Sequence, residues 1–368
     1  IVNVSSRYGA VDYDGKKVMG LNNIELITDR PLEENLREIR DIKRRYPNNA
    51  LIVSLMVESK PEAWHNIVRR TEDTGCDGLE LNFGCPHGMS ERGMGAAVGQ
   101  VPDYACQITE WVKQVAKTPV IVKLTPNVTD VRYIGRAAKN GGADALSLIN
   151  TINSIMGVDL DTFVPRPVVG KQSSHGGYCG PAVKPIALNM VSSIAKDPAI
   201  NLPISGVGGI QNWQDAVEFI LLGSTTVQVC TAVMHYGFRI VEQLAEGLSD
   251  WMDEKGFKKC TDFIGKSVQA VTDWGELDLN YKIIAKISQD KCISCGLCYI
   301  ACEDGCHQSI RKETVNGANR YTVIEDHCVG CNMCALVCPV QNCITMERVA
   351  ADKPFMNWKQ YQESLASK

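Results

Sequence analysis

From about residue 50 the chain alternates short apolar runs with segments of helical period. The runs 51–57, 78–83, 119–124, 145–150, 203–206 and 225–230 read as strands. Each is followed by a segment that reads as a helix: 61–74, 102–117, 131–140, 184–195, 213–222 and 238–255. The strands are rich in Val, Ile and Leu and lack strict alternation, the pattern of parallel strands buried on both faces. Strand-then-helix repetition at this spacing fits a (β/α)8 barrel or a doubly wound sheet. Polar and Gly-rich residues fall just past the strands, at Asn82, Lys123, Asn150 and Gly208. Active sites of (β/α)8 barrels sit at that end, and doubly wound sheets share the rule. Six units instead of eight, and Ile1 instead of Met at the start, lead to the expectation that two βα units of a barrel lie upstream, in a chain that was processed, cut or read from the middle of a gene.

After the last helix the periodicity fades, and from Lys291 the composition shifts to Cys and Gly. The expected organisation is a barrel over 1–255, a linker over 256–290, a small second domain over 291–345 and a polar tail over 346–368. At 45% apolar residues the chain can bury a sizeable core, and a net charge of −4 gives no reason to expect nucleic acid or an anionic membrane as partner. The longest basic cluster, Lys43-Arg44-Arg45, reads as a solvated helix face. There is no apolar run of 18 residues and no visible signal peptide, so a cytoplasmic protein is expected.

The 16 cysteines change the picture. A disulfide-rich secreted protein is normally small and loop-rich, whereas here the cysteines crowd near one end of a large chain. Two runs repeat one spacing: Cys292-x-x-Cys295-x-x-Cys298-x-x-x-Cys302, and Cys328-x-x-Cys331-x-x-Cys334-x-x-x-Cys338-Pro339. This is the pattern of a ferredoxin with two [4Fe-4S] clusters, in which the fourth cysteine of each run serves the other cluster. One cluster is expected to take Cys292, Cys295, Cys298 and Cys338, and the other Cys328, Cys331, Cys334 and Cys302. Zinc is the alternative, but a zinc site needs only four ligands. Glu303, not Pro, follows Cys302; Cys306 and Cys343 lie off register and read as packing residues.

The most reactive-looking stretch of the larger domain is Leu81-Asn82-Phe83-Gly84-Cys85-Pro86-His87-Gly88-Met89, continuing to Gly95. Such a Gly-rich loop after a strand can close over a site. Cys85 near its base is a candidate nucleophile or proton donor; the alternative is that it packs. His87 could tune that thiol or contact substrate. Lys123 ends a buried strand, where an ammonium needs a partner: an anionic cofactor, or a carboxylate such as Glu80. Asn150 and Thr151 end the next strand, Asn82 sits at the equivalent place two strands earlier, and Asn23 comes before the first clear strand. An Asn side chain suits a ring with alternating N–H and C=O groups on its edge, although single asparagines at strand ends are usually turn residues. Gly206-Val207-Gly208-Gly209 and Cys230-Thr231 follow what would be strands seven and eight, where barrels often bind phosphate, and Gly176–Pro181, including Gly180, could add backbone contacts. No G-x-G-x-x-G opens a βαβ unit, so a nicotinamide site on this chain is unsupported.

Taken together, LNFGCPHGMSERGMG, KLTPNVTD, INT, GGYCGPAVKPIAL and GVGGI, followed by the two-cluster domain, resemble the dihydropyrimidine dehydrogenase family. The layout is most similar to the iron–sulfur flavoprotein subunit of its bacterial NAD-dependent members, and the barrel also resembles the dihydroorotate dehydrogenases. The resemblance runs from about Asn3 to Cys343. It implies FMN in the barrel, uracil or thymine as substrate, and a partner subunit carrying FAD and the NADH site. Electrons would run from there through the two clusters to FMN. Carried over residue by residue, it implies that Cys85 protonates C5 of the pyrimidine while reduced FMN delivers hydride to C6. It also implies that Lys123 lies near flavin N1, that Asn23, Asn82, Asn150 and Thr151 bond the pyrimidine edge, and that Gly209, Cys230 and Thr231 hold the FMN phosphate. His87 matches the loop histidine, and Glu25 supports the site. Two departures stand out. Gly84 replaces the usual Ser, and nothing matches the family's first two strands, which supply FMN contacts and a second flavin-site lysine. Dihydroorotate oxidation and a non-catalytic electron-transfer subunit are the competing functions.

Overall fold

A computed structural model describes residues 8–13, 17–25, 28, 30–86, 93–277, 282–305, 307–350 and 358–366. The chain divides into two compact units between Val271 and Thr272.

The first unit opens with two strands the apolar pattern does not reveal, β1 (Tyr8–Tyr13) and β2 (Lys17–Asn23), and a helix α1 (Leu32–Arg45). The parallel strands then follow: β3 (Ile52–Leu55), β4 (Gly78–Asn82), β5 (Val120–Lys123) and β6 (Ala145–Leu148). Two short strands, β7 (Ile152–Ser154) and β8 (Gly176–Cys179), precede β9 (Ile204–Val207) and β10 (Thr226–Gln228). The sheet order is β10-β9-β6-β5-β4-β3, with every neighbouring pair parallel. These are the six strands read from the sequence. Between the edges β3 and β10, two more would complete an eight-stranded barrel.

The connecting helices are α2 (Pro61–Glu72), the short α3 (Ala96–Gly99), α4 (Pro102–Lys113), α5 (Val131–Asn140), α6 (Lys184–Lys196) and α7 (Trp213–Leu221), followed by α8 (Thr231–Tyr236) and α9 (Ile240–Lys255). Their starts are written in the sequence. Proline opens α2 and α4, where its missing N–H costs nothing. The Asp130 side chain caps α5, and Asn212 with Asp215 forms a capping box on α7. Leu79, Leu81, Val120, Val122, Leu146 and Leu148 are fully buried, as strands between helices and a filled interior require. The basic cluster does lie on a helix, in the last turn of α1, and Lys43 there pairs with Asp77 at 2.8 Å.

A second sheet, β1-β2-β8-β7, is antiparallel throughout. Because β7 begins two residues after Asn150, this sheet stands directly over the carboxyl end of β6.

The segment expected to be a linker, 256–290, is shared between the units. Phe263 is fully buried, its ring packed on Trp251 and Phe257, and the Gly265 and Ser267 amides bond Ile220 and Leu221 carbonyls. Residues up to 271 therefore pack on the barrel, beyond the expected boundary at 255. In the second unit β11 (Lys282–Ile287) pairs with β14 (Ile344–Val349), and β12 (Ile310–Val315) with β13 (Ala318–Val323). Both the end of the expected linker and the start of the expected tail thus belong to the small domain's framework. It also holds α10 (Leu297–Glu303) and α11 (Met333–Leu336), and α12 (Trp358–Ala366) lies in the tail. Among the described residues no helix is long and apolar enough to cross a membrane.

Candidate active site and cluster sites

The carboxyl ends of β5, β6, β9 and β10 converge under the antiparallel sheet on a cavity of about 270 Å³. Of the residues singled out in the sequence, Asn23, Lys123, Asn150, Thr151, Gly180, Gly208, Gly209, Cys230 and Thr231 line it, together with Glu25. Strand ends place them: parallel strands in register bring Asn82 beside Lys123 and Lys123 beside Ser147.

One end of the cavity is main chain. Gly208 and Gly209 have φ of +136° and +78°, and Gly180 has +97°. A Cβ on Gly209 would come within 2.9 Å of Gly180 O and Lys184 N, so only glycine allows this approach. The rim left behind is backbone, as suits a phosphate. The other end is polar side chain. Asn150 Nδ2 donates to Asn82 Oδ1 at 2.8 Å, and Asn150 Oδ1 accepts from Thr151 N–H at 2.8 Å. Asn127 donates to the Thr151 carbonyl at 3.1 Å and accepts from Asn153 N–H at 2.8 Å, which fixes the start of β7. Between the ends stands Lys123, paired with the buried Glu80 at 3.1 Å. The salt bridge weighed as an alternative role for Lys123 therefore exists, while the lysine also lines the cavity. A flat ring with a phosphate tail, such as FMN, fits this donor set.

Asn82 is not part of the cavity lining and bonds Asn150, which is. Cys85 is buried at the base of its loop and is not among the lining residues; its carbonyl accepts from the Ala96 N–H at 3.0 Å, which ties the loop's return to its start. His87 lies outside the described residues. Tyr178 and Cys179, within the Gly176–Pro181 stretch expected to add backbone contacts, also line it, whereas sequence reasoning missed Gln228. Gln228 could have been noticed as the polar end of its strand, like Lys123. Cys179 donates to Leu21 O at 3.4 Å, and burial pushes its thiol upward in pKa.

In the second unit, Cys292, Cys295, Cys298 and Cys338 line one cavity, and Cys302, Cys328, Cys331 and Cys334 line another. The structure therefore groups the cysteines as the ferredoxin spacing does. The short helices arrange this: α10 carries Cys298 and Cys302 one turn apart, toward different cavities, and α11 carries Cys334. Cys343 is buried against the first quartet, and Cys306 lies outside the described residues. No disulfide links the described cysteines. Among the described residues no three His, Cys, Asp or Glu side chains meet as the ligands of a single ion do. Each quartet lines a cavity of its own, and two runs of four cysteines exceed the four ligands that a zinc site needs. Burial, and after it the neighbouring Cys292 and Cys295, push the Cys298 thiol up to about 11.

Comparison with known proteins agrees with both halves. Residues 13–252 match the family model for dihydroorotate dehydrogenase, and residues 285–346 match a 4Fe-4S dicluster domain. The NAD-dependent dihydropyrimidine dehydrogenase subunit PreA of Escherichia coli K12 is 41% identical over 83% of this chain and 74% of its own length. The chloroplastic dihydropyrimidine dehydrogenase (NADP(+)) of Arabidopsis thaliana is 43% identical over 75% of this chain and 67% of its own. The catalytic subunit of dihydroorotate dehydrogenase B (NAD(+)) from Pyrococcus abyssi is 38% identical over 68% and 79%.

Proposed function

Since the chain belongs to the dihydropyrimidine dehydrogenase family, with a dihydroorotate dehydrogenase barrel joined to a 4Fe-4S dicluster domain, we propose that it reduces uracil or thymine to the 5,6-dihydropyrimidine at the cavity described above. The barrel family binds FMN, and the dicluster domain binds two [4Fe-4S] clusters. When bound, FMN supplies the electron pair that saturates the C5–C6 bond.

This chain's own residues bind, orient and protonate. Asn23, Asn150 and Thr151 offer donors and acceptors to the alternating N–H and C=O edge of a pyrimidine, and Asn82 braces Asn150. Lys123 places positive charge where the flavin gains negative charge. Gly180, Gly208, Gly209, Cys230 and Thr231 hold the phosphate. Cys85 is the general acid that delivers a proton to C5, with His87 beside it in the loop. The eight cysteines hold the clusters that link this site to an outside electron source. The Escherichia coli relative is named as a subunit of an NAD-dependent enzyme; in our reading a partner subunit with FAD supplies electrons drawn from NADH.

The observation that carries the reading is the charge of the cavity. Among the described lining residues, Glu25 and Lys123 are the charged side chains. Dihydroorotate bears a carboxylate and would want a cation of its own, whereas uracil and thymine are neutral. Turnover of uracil, thymine and orotate should be compared on one preparation, and turnover of orotate alone would reverse the assignment. Cys85→Ala should keep its flavin and iron yet reduce pyrimidines about 10²–10⁴-fold more slowly; an unchanged rate would remove the acid role.

A further inference from the structure

Glu80 has no task in the function just described, yet it is a buried carboxylate held by three side chains beside the cavity. It lies within β4, with its side chain 9% exposed. Its Oε1 accepts from Lys123 Nζ on β5 at 3.1 Å. Its Oε2 accepts from Ser147 Oγ on β6 at 2.8 Å and from Gln228 Nε2 on β10 at 2.9 Å. Gln228 Nε2 also reaches Ser205 Oγ on β9 at 3.1 Å, and Gln228 Oε1 lies 3.4 Å from Lys123 Nζ. Four strands thus meet on one carboxylate, and β9 joins them through Gln228.

An ionised carboxylate out of water is tolerated only when it is paired and hydrogen-bonded, and this one is both. Its partners divide into two kinds. Lys123 and Gln228 line the cavity, whereas Glu80 and Ser147 are not among the lining residues. Glu80 therefore lies behind the cavity wall and reaches a ligand through Lys123 and Gln228. Two consequences follow from Coulomb's law in a site of low dielectric. The carboxylate fixes where the ammonium stands, and its negative charge offsets part of the positive field that Lys123 presents to the cavity.

We propose that Glu80 is a positioning residue that acts through Lys123, anchoring the ammonium in the cavity wall and offsetting its charge. By doing so it sets how strongly the pocket favours the reduced, more negative flavin. The inference rests on the reading of the cavity as an FMN site.

The test is a redox titration of the FMN-loaded full chain at pH 7, followed at the flavin band after bound FMN has been quantified. A chain that takes up no FMN refutes the cavity assignment itself, and this inference with it. With FMN bound, Glu80→Gln keeps the shape and an acceptor for Lys123 but removes the charge. The equilibrium constant for reduction should rise about tenfold, an upward shift of about 30 mV for a two-electron couple. Lys123→Met should move it the other way. A flavin potential in Glu80→Gln that is unchanged or lower, with FMN bound, overturns the proposal. Should Glu80→Gln fail to fold, the double variant Glu80→Gln/Lys123→Met decides: with no ammonium left unpaired it should recover folding, and a double variant that also fails counts against the coupling.

Discussion

The Asn150 side chain donates to the Asn82 side-chain oxygen at 2.8 Å, so the end of β4 and the segment after β6 present their amides as one unit. The Asn82 oxygen also accepts from Gly84 N–H at 3.1 Å. This closeness depends on glycine: a Cβ at position 84 would lie 2.4 Å from Asn150 Cβ. A serine there, which the resemblance to the dihydropyrimidine dehydrogenases leads one to expect, would require Asn150 to stand elsewhere.

Gly84→Ala should displace Asn150 and break its bond to Asn82. The KM for pyrimidine should rise about tenfold, the equivalent of roughly one lost hydrogen bond, while bound flavin stays the same. Steady-state kinetics alongside flavin content checks this, and an unchanged KM would mean that Asn150 does not orient substrate.

Phe263→Ala should destabilise the barrel by about 3–5 kcal/mol, the usual cost of emptying a buried aromatic site. Phe263 is fully buried between Trp251 and Phe257 although it lies beyond the last barrel helix. Denaturant unfolding followed by barrel tryptophan fluorescence measures the loss. Were 256–271 a slack linker, the substitution would be silent.

The parallel strands are legible because each is a Val-, Ile- and Leu-rich run followed by a helix, and Lys123, Asn150 and Gly208 follow from standing at or just past a strand's carboxyl end. The antiparallel sheet over the cavity is not legible. Ile152–Ser154 is three residues long and Gly176–Cys179 begins with two glycines, so neither has an apolar period; they become strands by pairing with each other and with β2. Close packing fixes that sheet, with Gly177 backed onto Thr151 so tightly that a Cβ would lie 2.1 Å from its hydroxyl. The bond from Gln228 to Glu80 spans 148 residues, and only the register of the sheet brings the two together. The cysteine grouping is legible because three members of each quartet lie within seven residues of one another.

The loop joining β7 to β8 is organised by Asp159. Its carboxylate accepts from the Thr162 N–H at 2.9 Å, the Arg166 guanidinium at 3.0 Å and the Thr162 hydroxyl at 2.9 Å, which hold its pKa at about 2, below the ordinary 3.8. A carboxyl with a lowered folded pKa stabilises above its ordinary value, and the contribution is lost as pH falls through the folded one. Amide exchange at Thr162 should therefore stay protected at pH 4 and lose protection toward pH 2, whereas Asp159→Asn should be unprotected at both. Equal protection in the two proteins would show that the loop is held by something else.

Cluster ligation should cross between the two cysteine runs. Cys302 follows Cys298 by one helical turn, yet it lines the cavity of Cys328, Cys331 and Cys334, and Cys338 lines that of Cys292, Cys295 and Cys298. Around the second cavity the Ser309 N–H reaches Cys302 Sγ at 3.2 Å and the Ala285 N–H reaches Cys328 Sγ at 3.4 Å, which fixes where both sulfurs stand. Cys302→Ser should lower iron from about eight to about four per chain. In the variant, alkylation under anaerobic conditions should label Cys328, Cys331 and Cys334, the distant run, while Cys292, Cys295, Cys298 and Cys338 stay protected by their remaining cluster. Cys338→Ser should give the mirror pattern. If Cys302→Ser instead exposes Cys292, Cys295 and Cys298, each run holds its own cluster and the grouping of the two cavities does not describe the ligation.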